Sequence, residues 1–174
     1  YGGEGPNALL SAHTGESNAT WALHSSRSSG LRVSGAGRVY NAAANAISLH
    51  YAAGPPLSSD YSVRTLFRYL SNLSSFGGPC GRSSTTVLTH YLVNINPETV
   101  SLVDLYIDLY RIVAGSATLL SRYTAAHTLD QDFLVELGMR GSEIRVSVDS
   151  TERIAVTDSN ITLAGRAGLS IENS

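Results

Sequence analysis

The sequence predicts an all-β fold, built as a sandwich or barrel, on three observations. First, 133–172 alternates apolar and polar residues: Phe133, Val135 and Leu137; Ile144, Val146 and Val148; Ile154 and Val156; Ala167, Leu169 and Ile171. A period of two gives each strand one buried and one solvated face, the mark of antiparallel sheet. Second, turn residues break this run at near-regular spacing. Third, about a dozen short strands account for the chain, with no long helix required.

Residues 1–30 are rich in Gly, Ser, Asn and Thr, with Trp21 and Leu23 as the apolar points of a short strand. Residues 1–20 are expected to form an extended N-terminal arm on a single domain spanning 1–174. Leu31-Arg32-Val33 and Gly37-Arg38-Val39-Tyr40 read as a strand pair around the turn Ser34-Gly35-Ala36. Residues 41–46 are Ala-rich and compatible with a helical turn, whereas Ile47-Ser48-Leu49 returns to alternation. Gly54-Pro55-Pro56 ends that segment, because neither proline can donate to a ladder.

Residues 60–70 form the next expected strand, with Tyr61, Val63, Thr65 and Phe67 on one side and Arg64, Leu66 and Arg68 on the other. Residues 71–84 are the longest Gly/Ser/Pro stretch in the body of the chain and read as a loop carrying Cys80. Residues 86–95 read as a strand, followed by a turn at Asn96-Pro97-Glu98. In 102–114 a helix would place Asp104 and Asp108 on one face. The crowding of Tyr, Ile and Val favours strand instead, with Gly115-Ser116 turning it into 118–123. Residues 124–132 read as a polar connection.

A chain of 174 residues has the length of one domain with a real core. Its composition, 43% hydrophobic and 15% charged, is that of a soluble globular protein, and no apolar run approaches the roughly 20 residues of a membrane helix. A net charge of −2 offers no basic field for a phosphate backbone, which argues against nucleic acid as partner. All twelve basic residues are Arg, which removes Schiff-base and Ser–Lys chemistry. The lone Cys80 excludes an intrachain disulfide and a four-Cys zinc site. The start at Tyr1 reads as a processed product or an excerpt of a longer protein. Sequons at Asn18, Asn72 and Asn160 are matches expected by chance in so Ser- and Thr-rich a chain.

Several runs together resemble a known superfamily. They are 109–123 (LYRIVAGSATLLSRY), 133–149 (FLVELGMRGSEIRVSVD), Val156-Thr157-Asp158 and Ala164-Gly165-Arg166-Ala167-Gly168-Leu169, with 12–24 (AHTGESNATWALH) near the start. They are similar to the concanavalin A-like lectins and glucanases, and within these to the laminin-G-like modules of phage and bacterial surface proteins. The resemblance spans nearly the whole chain and rests on turns and core. It implies a jelly-roll β-sandwich of two curved antiparallel sheets, whose alternating apolar residues would fill the space between them.

Glycosidases of that superfamily carry Glu-x-Asp-x-(x)-Glu on one strand, aiming paired carboxylates into a groove. Here Glu136 and Glu143 stand seven apart around Gly138 and Gly141, and Asp104 and Asp108 share a strand face without a Glu. Neither matches, and the chain is expected not to be an enzyme. Lectins of the superfamily bind calcium through acidic and Asn ligands. Asp149, Asp158 and Asn160 would supply hard oxygens at a sandwich rim, or simply make turns there. Apart from calcium, no cofactor is expected. His13, His24, His50, His90 and His127 lack metal-ligand spacing.

The remaining candidate is a sugar surface on the solvated face of central strands: Arg64, Arg68, His90, Tyr106, Asp108, Tyr110 and Arg111. Aromatic rings cover the apolar face of a sugar while Arg and Asp take its hydroxyls. The plainer alternative is that these side chains solvate an exposed sheet or fill a core. The resemblance implies a non-catalytic structural or adhesion module on a phage virion, as capsid decoration, tail or fibre, at the virion surface or otherwise extracellular. Its partners would be other virion or surface proteins, cell-surface glycans and further copies of itself, with no membrane insertion. The alternative is a carbohydrate-binding module of a secreted bacterial enzyme or adhesin.

Overall fold

The computed structural model describes residues 8–12, 20–34, 36, 38–43, 46–54, 56, 58–68, 75–97, 104–126 and 130–173. In chain order the first strands are β1 (Ala8–Leu9), β2 (Trp21–Leu23), β3 (Leu31–Val33), β4 (Val39–Asn41) and β5 (Ala46–Ala52). Next come β6 (Tyr61–Arg68), β7 (Ser75–Ser83), β8 (His90–Pro97), β9 (Asp104–Val113) and β10 (Ser116–Ala126). The last are β11 (Asp132–Arg140), β12 (Glu143–Val148), β13 (Thr151–Thr157) and β14 (Arg166–Asn173). One 3-10 turn, Leu10–Ala12, is the only helical element among the described residues, and none is long and apolar enough to cross a membrane.

Two antiparallel sheets form the sandwich: a seven-stranded one in the order β10-β9-β8-β7-β14-β5-β2 and a four-stranded one in the order β13-β12-β11-β6. A small sheet, β1-β3-β4, flanks them. The alternation read from sequence is what closes the core. Phe133, Val135, Leu137 and Met139 of β11 and Ile144, Val146 and Val148 of β12 turn inward. They meet Tyr91, Val93 and Ile95 of β8 and Leu105, Ile107 and Leu109 of β9. β6 adds Tyr61, Val63 and Phe67 to the same core, as its alternation predicts. In β14 the alternation misleads: Gly168 and Ser170 are buried, whereas Ala167, Leu169 and Ile171 are half-buried.

The hairpins use the turns their twist demands. Ala114 and Gly115 both have positive φ (49° and 85°), as do Asp149 and Ser150 (48° and 66°), which suits two-residue connections between twisted strands.

The expected loop at 71–84 is corrected by the structure. Its second half is β7, a central strand paired with β8 and β14, while 71–74 lies outside the described residues. Small residues are required there by close approach, not by a turn. A Cβ on Gly78 would lie 2.3 Å from the Val93 carbonyl oxygen, and one on Gly81 would lie 2.3 Å from Met139 Cε. Pairing with β8 runs from Gly77–Ile95 to Gly81–Tyr91 and skips Gly78 and Pro79, the latter having no N–H to give. Cys80 is fully buried rather than on a loop. Of the expected N-terminal arm, 1–7 and 13–19 lie outside the described residues, as do His13 and His127, and Ala8–Leu9 pairs with β3.

Candidate functional site

Since Val93 and Ile95 face the core, Leu92, Asn94 and Asn96 must face outward from the seven-stranded sheet. Register then fixes their neighbours. Asn96 stands opposite Tyr106, Asn94 opposite Asp108 and Leu92 opposite Tyr110, while His90 stands opposite Ile112. One strand further, Arg122 stands opposite Asp108. Four of the seven expected ligand residues, His90, Tyr106, Asp108 and Tyr110, are thus brought onto one sheet face.

This face encloses a cavity of about 290 Å³, whose polar lining includes Arg27, His90, Asn94, Tyr110 and Glu172. Leu49, Leu92, Ile112 and Phe76 supply apolar wall. Arg27 comes from the segment after β2, which is tied across to the β7–β8 connection by Ser25 Oγ donating to the Thr85 carbonyl at 3.3 Å. His90 is 2% exposed, and neither ring nitrogen has a hydrogen-bond partner. Burial, reinforced by the nearby His24 and Arg27, pushes His90 down to about 4, so the ring is neutral at pH 7. Arg27 Nε is likewise buried and without a partner.

The neighbouring polar cluster is internally closed. Arg122 donates from Nε and Nη2 to the two Asp108 oxygens at 2.6 and 2.8 Å, and its guanidinium lies 4.1 Å from the Tyr106 ring centre. Asn96 and the Tyr110 hydroxyl complete the set around Asp108 Oδ2 at 3.4 and 3.5 Å. Burial, with Asp108 alongside, raises the Tyr110 hydroxyl. Asp108 is therefore committed to Arg122, beside the cavity rather than in its lining.

Three expected ligand residues lie elsewhere. Arg64 and Arg68 belong to β6 in the other sheet and face solvent there. Arg64 pairs with Glu136 at 2.9 Å and Arg68 with Asp132 at 2.6 and 2.7 Å, on neighbouring β11. Arg111 has the opposite strand parity from Tyr110, so it faces inward and pairs with Asp158. The expectation of one surface carrying all seven residues is corrected accordingly.

The expected calcium rim is also not assembled. Asp149 and Asp158 flank opposite ends of the seven-residue β13, roughly 20 Å apart. Asp149 accepts from the Leu134 backbone N–H. Asp158 accepts from the Tyr91 hydroxyl at 2.7 Å, from Asn160 and from Arg111. Burial works to raise the Asp158 carboxyl, but these bonds hold it below the ordinary carboxylate value. Among the described residues no three His, Cys, Asp or Glu side chains are placed to hold a metal ion.

Sequence reasoning missed Arg27, Asn94, Glu172 and Arg122. Asn94 was legible, since alternation about Val93 and Ile95 sets it outward. Arg27 left no signal, because its Ser-rich segment has no periodicity. A larger crevice of about 570 Å³ lies at one end of the sandwich, between the β7–β8 connection and 160–165. Its most buried cation, Arg82, is already committed to the carbonyls of Ser59, Ile161 and Gly141.

No family model matches the sequence, and no curated protein does. Solved structures match in shape. The carbohydrate-binding module CBM66 from Bacillus subtilis superposes with a TM-score of 0.70 over 88% of this chain and 92% of that one, at 15% identity. A structure described as a native glycosidic hydrolase gives 0.54 over 95% and 81%, at 12% identity. A β-glucanase from Bacillus licheniformis gives 0.51 over 98% and 77%, at 9% identity. Identities this low establish the fold alone. The chain has the concanavalin A-like jelly-roll sandwich fold, shared with that binding module and that β-glucanase.

Proposed function

We propose that this chain is a non-catalytic carbohydrate-binding module whose site is the outer groove of the seven-stranded sheet. The observation that carries the reading is the cavity itself: buried, unpartnered polar groups on His90 and Arg27 face a space walled by Tyr110 and aliphatic side chains. Such a mixture of apolar wall and few convergent polar groups suits a sugar, whose ring faces are apolar and whose edges carry hydroxyls. A volume of about 290 Å³ suits one or two sugar residues held at a time. The shape likeness to a binding module supports the same reading; nothing comparable supports a virion role.

The carboxylates argue for binding without hydrolysis. Retaining and inverting glycosidases need two carboxyl groups about 5–5.5 or 6.5–9.5 Å apart. Glu172 in the groove and Asp108 beside it lie on β14 and β9, separated by three strand spacings, or roughly 14 Å. Asp104 and Asp108 are four residues apart on one strand, also roughly 14 Å. Asp108 is moreover closed by Arg122.

The test is a glycan array followed by titration calorimetry on the folded domain. Saturable binding that Tyr110→Ala abolishes, while Arg64→Ala on the other sheet leaves it intact, is the expected result. Release of reducing ends from the bound glycan would overturn the non-catalytic part. Binding insensitive to Tyr110→Ala would overturn the site.

A further inference from the structure

We propose that the groove selects an acidic sugar, its carboxylate or sulfate docking between Arg27 and His90; this rests on the reading of the groove as a glycan site. The ionisable groups along the cavity are sorted. Arg27 and His90 line it together, and His24 lies close enough to act electrostatically on His90. No ion pair or hydrogen bond among the described residues joins a carboxylate to any of these three. Neither nearby carboxylate, Asp108 beside the cavity or Glu172 in its lining, is joined to these groups. Asp108 is closed by Arg122. Glu172 pairs with Phe76, next to the Gly77–Ile95 pair, which sets it five to six residues of strand away from His90.

A guanidinium with a buried, unpartnered Nε is costly unless something satisfies it. A neutral sugar hydroxyl can accept from the guanidinium but leaves its charge uncompensated. A carboxylate or sulfate presents a pair of acceptor oxygens that a guanidinium fork matches. It would also accept from the neutral imidazole of His90, which carries one N–H whichever tautomer it adopts. With the anion held at this end, the sugar ring lies against Tyr110 and Leu92, and Asn94 and Glu172 are left to take hydroxyls. The proposed selectivity is thus electrostatic at one end of the groove and apolar along its wall.

The experiment is calorimetric titration with oligogalacturonate, oligomannuronate and a heparin oligosaccharide. Each is compared with its carboxyl-reduced or desulfated counterpart, and the array's best neutral glycan is included. Arg27→Gln, Arg27→Lys, His90→Gln and Tyr110→Ala are compared with the parent, and unfolding midpoints verify that each variant is folded. The expected result is at least tenfold tighter binding of one acidic probe than of its neutral counterpart. Arg27→Gln removes that preference and Arg27→Lys keeps part of it. Equal affinity for acidic and neutral partners, both lost in Tyr110→Ala, overturns acid selection and leaves the glycan site standing. An acidic preference that survives Arg27→Gln also overturns it. No binding by any probe, acidic or neutral, overturns the glycan site and this inference with it.

Discussion

Arg122 of β10 grips both carboxylate oxygens of Asp108 on β9, although Asp108 is 1% exposed and the arginine side chain 43% exposed. The asymmetry predicts unequal costs for breaking the pair. Arg122→Gln strands a buried carboxylate and should lower unfolding free energy by about 3 kcal/mol, whereas Asp108→Asn leaves an arginine that can turn to water and should cost about 1–2 kcal/mol. Urea denaturation of both variants and of the double variant measures this. Equal losses would mean that the pair is no more than a screened surface contact.

Arg82 is the second such commitment, with a different role. Its side chain is fully buried and donates to the carbonyls of Ser59, Ile161 and Gly141, joining the β5–β6, β13–β14 and β11–β12 connections. Its own backbone is left-handed, with φ 50°. Arg82→Met should remove about 2–3 kcal/mol, since the buried Ile161 carbonyl loses its donor while the part-exposed Ser59 and Gly141 carbonyls must turn to water. The check is the urea midpoint, and an unchanged midpoint would refute the clamp.

Cys80 should be inert in the native protein. Burial pushes its thiol up to about 12, and its sulfur lies beneath β14, where a Cβ on Gly168 would come within 2.9 Å. Reaction with a disulfide reagent at pH 8 is therefore expected only through unfolding, at a rate that rises with urea. Immediate stoichiometric labelling without denaturant would contradict the position of β7.

How far the sequence could be read depended on which physical constraint was local. Alternation is local, so Phe133 to Val148 were placed correctly, and Tyr106, Asp108 and Tyr110 were placed on one face. Sheet membership is not local. Arg64 and Arg68 alternate as cleanly as Tyr106 does, yet pairing of β6 with β11 sends them to the other sheet. Arg111 was recoverable, because one residue of offset from Tyr110 puts it on the opposite face. β7 was hidden because Gly and Pro, which ordinarily mark turns, here satisfy contacts with Val93, Ser170 and Met139. The half-buried Arg27 and the buried Arg82 sit in segments without any period.

Acid should destabilise the fold in a window set by histidines. His50 and His90 are both buried, and burial lowers each to about 4 from 6.5, so the folded state disfavours their protonation. The unfolded chain binds more protons between about pH 4 and 6.5, so stability is complete above pH 6.5 and falls as pH drops toward 4. At about 1.4 kcal/mol per pKa unit, each histidine contributes a loss on the order of 3 kcal/mol across that window. Asp132, Glu136 and Asp158, held low by their partners, lose their share only at lower pH, so the two effects separate. Unfolding free energy measured by urea from pH 7.5 to 4 should slope downward below pH 6.5. His50→Gln and His90→Gln should each flatten about half of that slope, and a parent profile flat from pH 7 to 4.5 would show that neither imidazole is buried as described. Because His90 also faces the groove, an acidic sugar should shrink its contribution when bound, by stabilising the protonated ring; the same sugar should leave the His50 share unchanged.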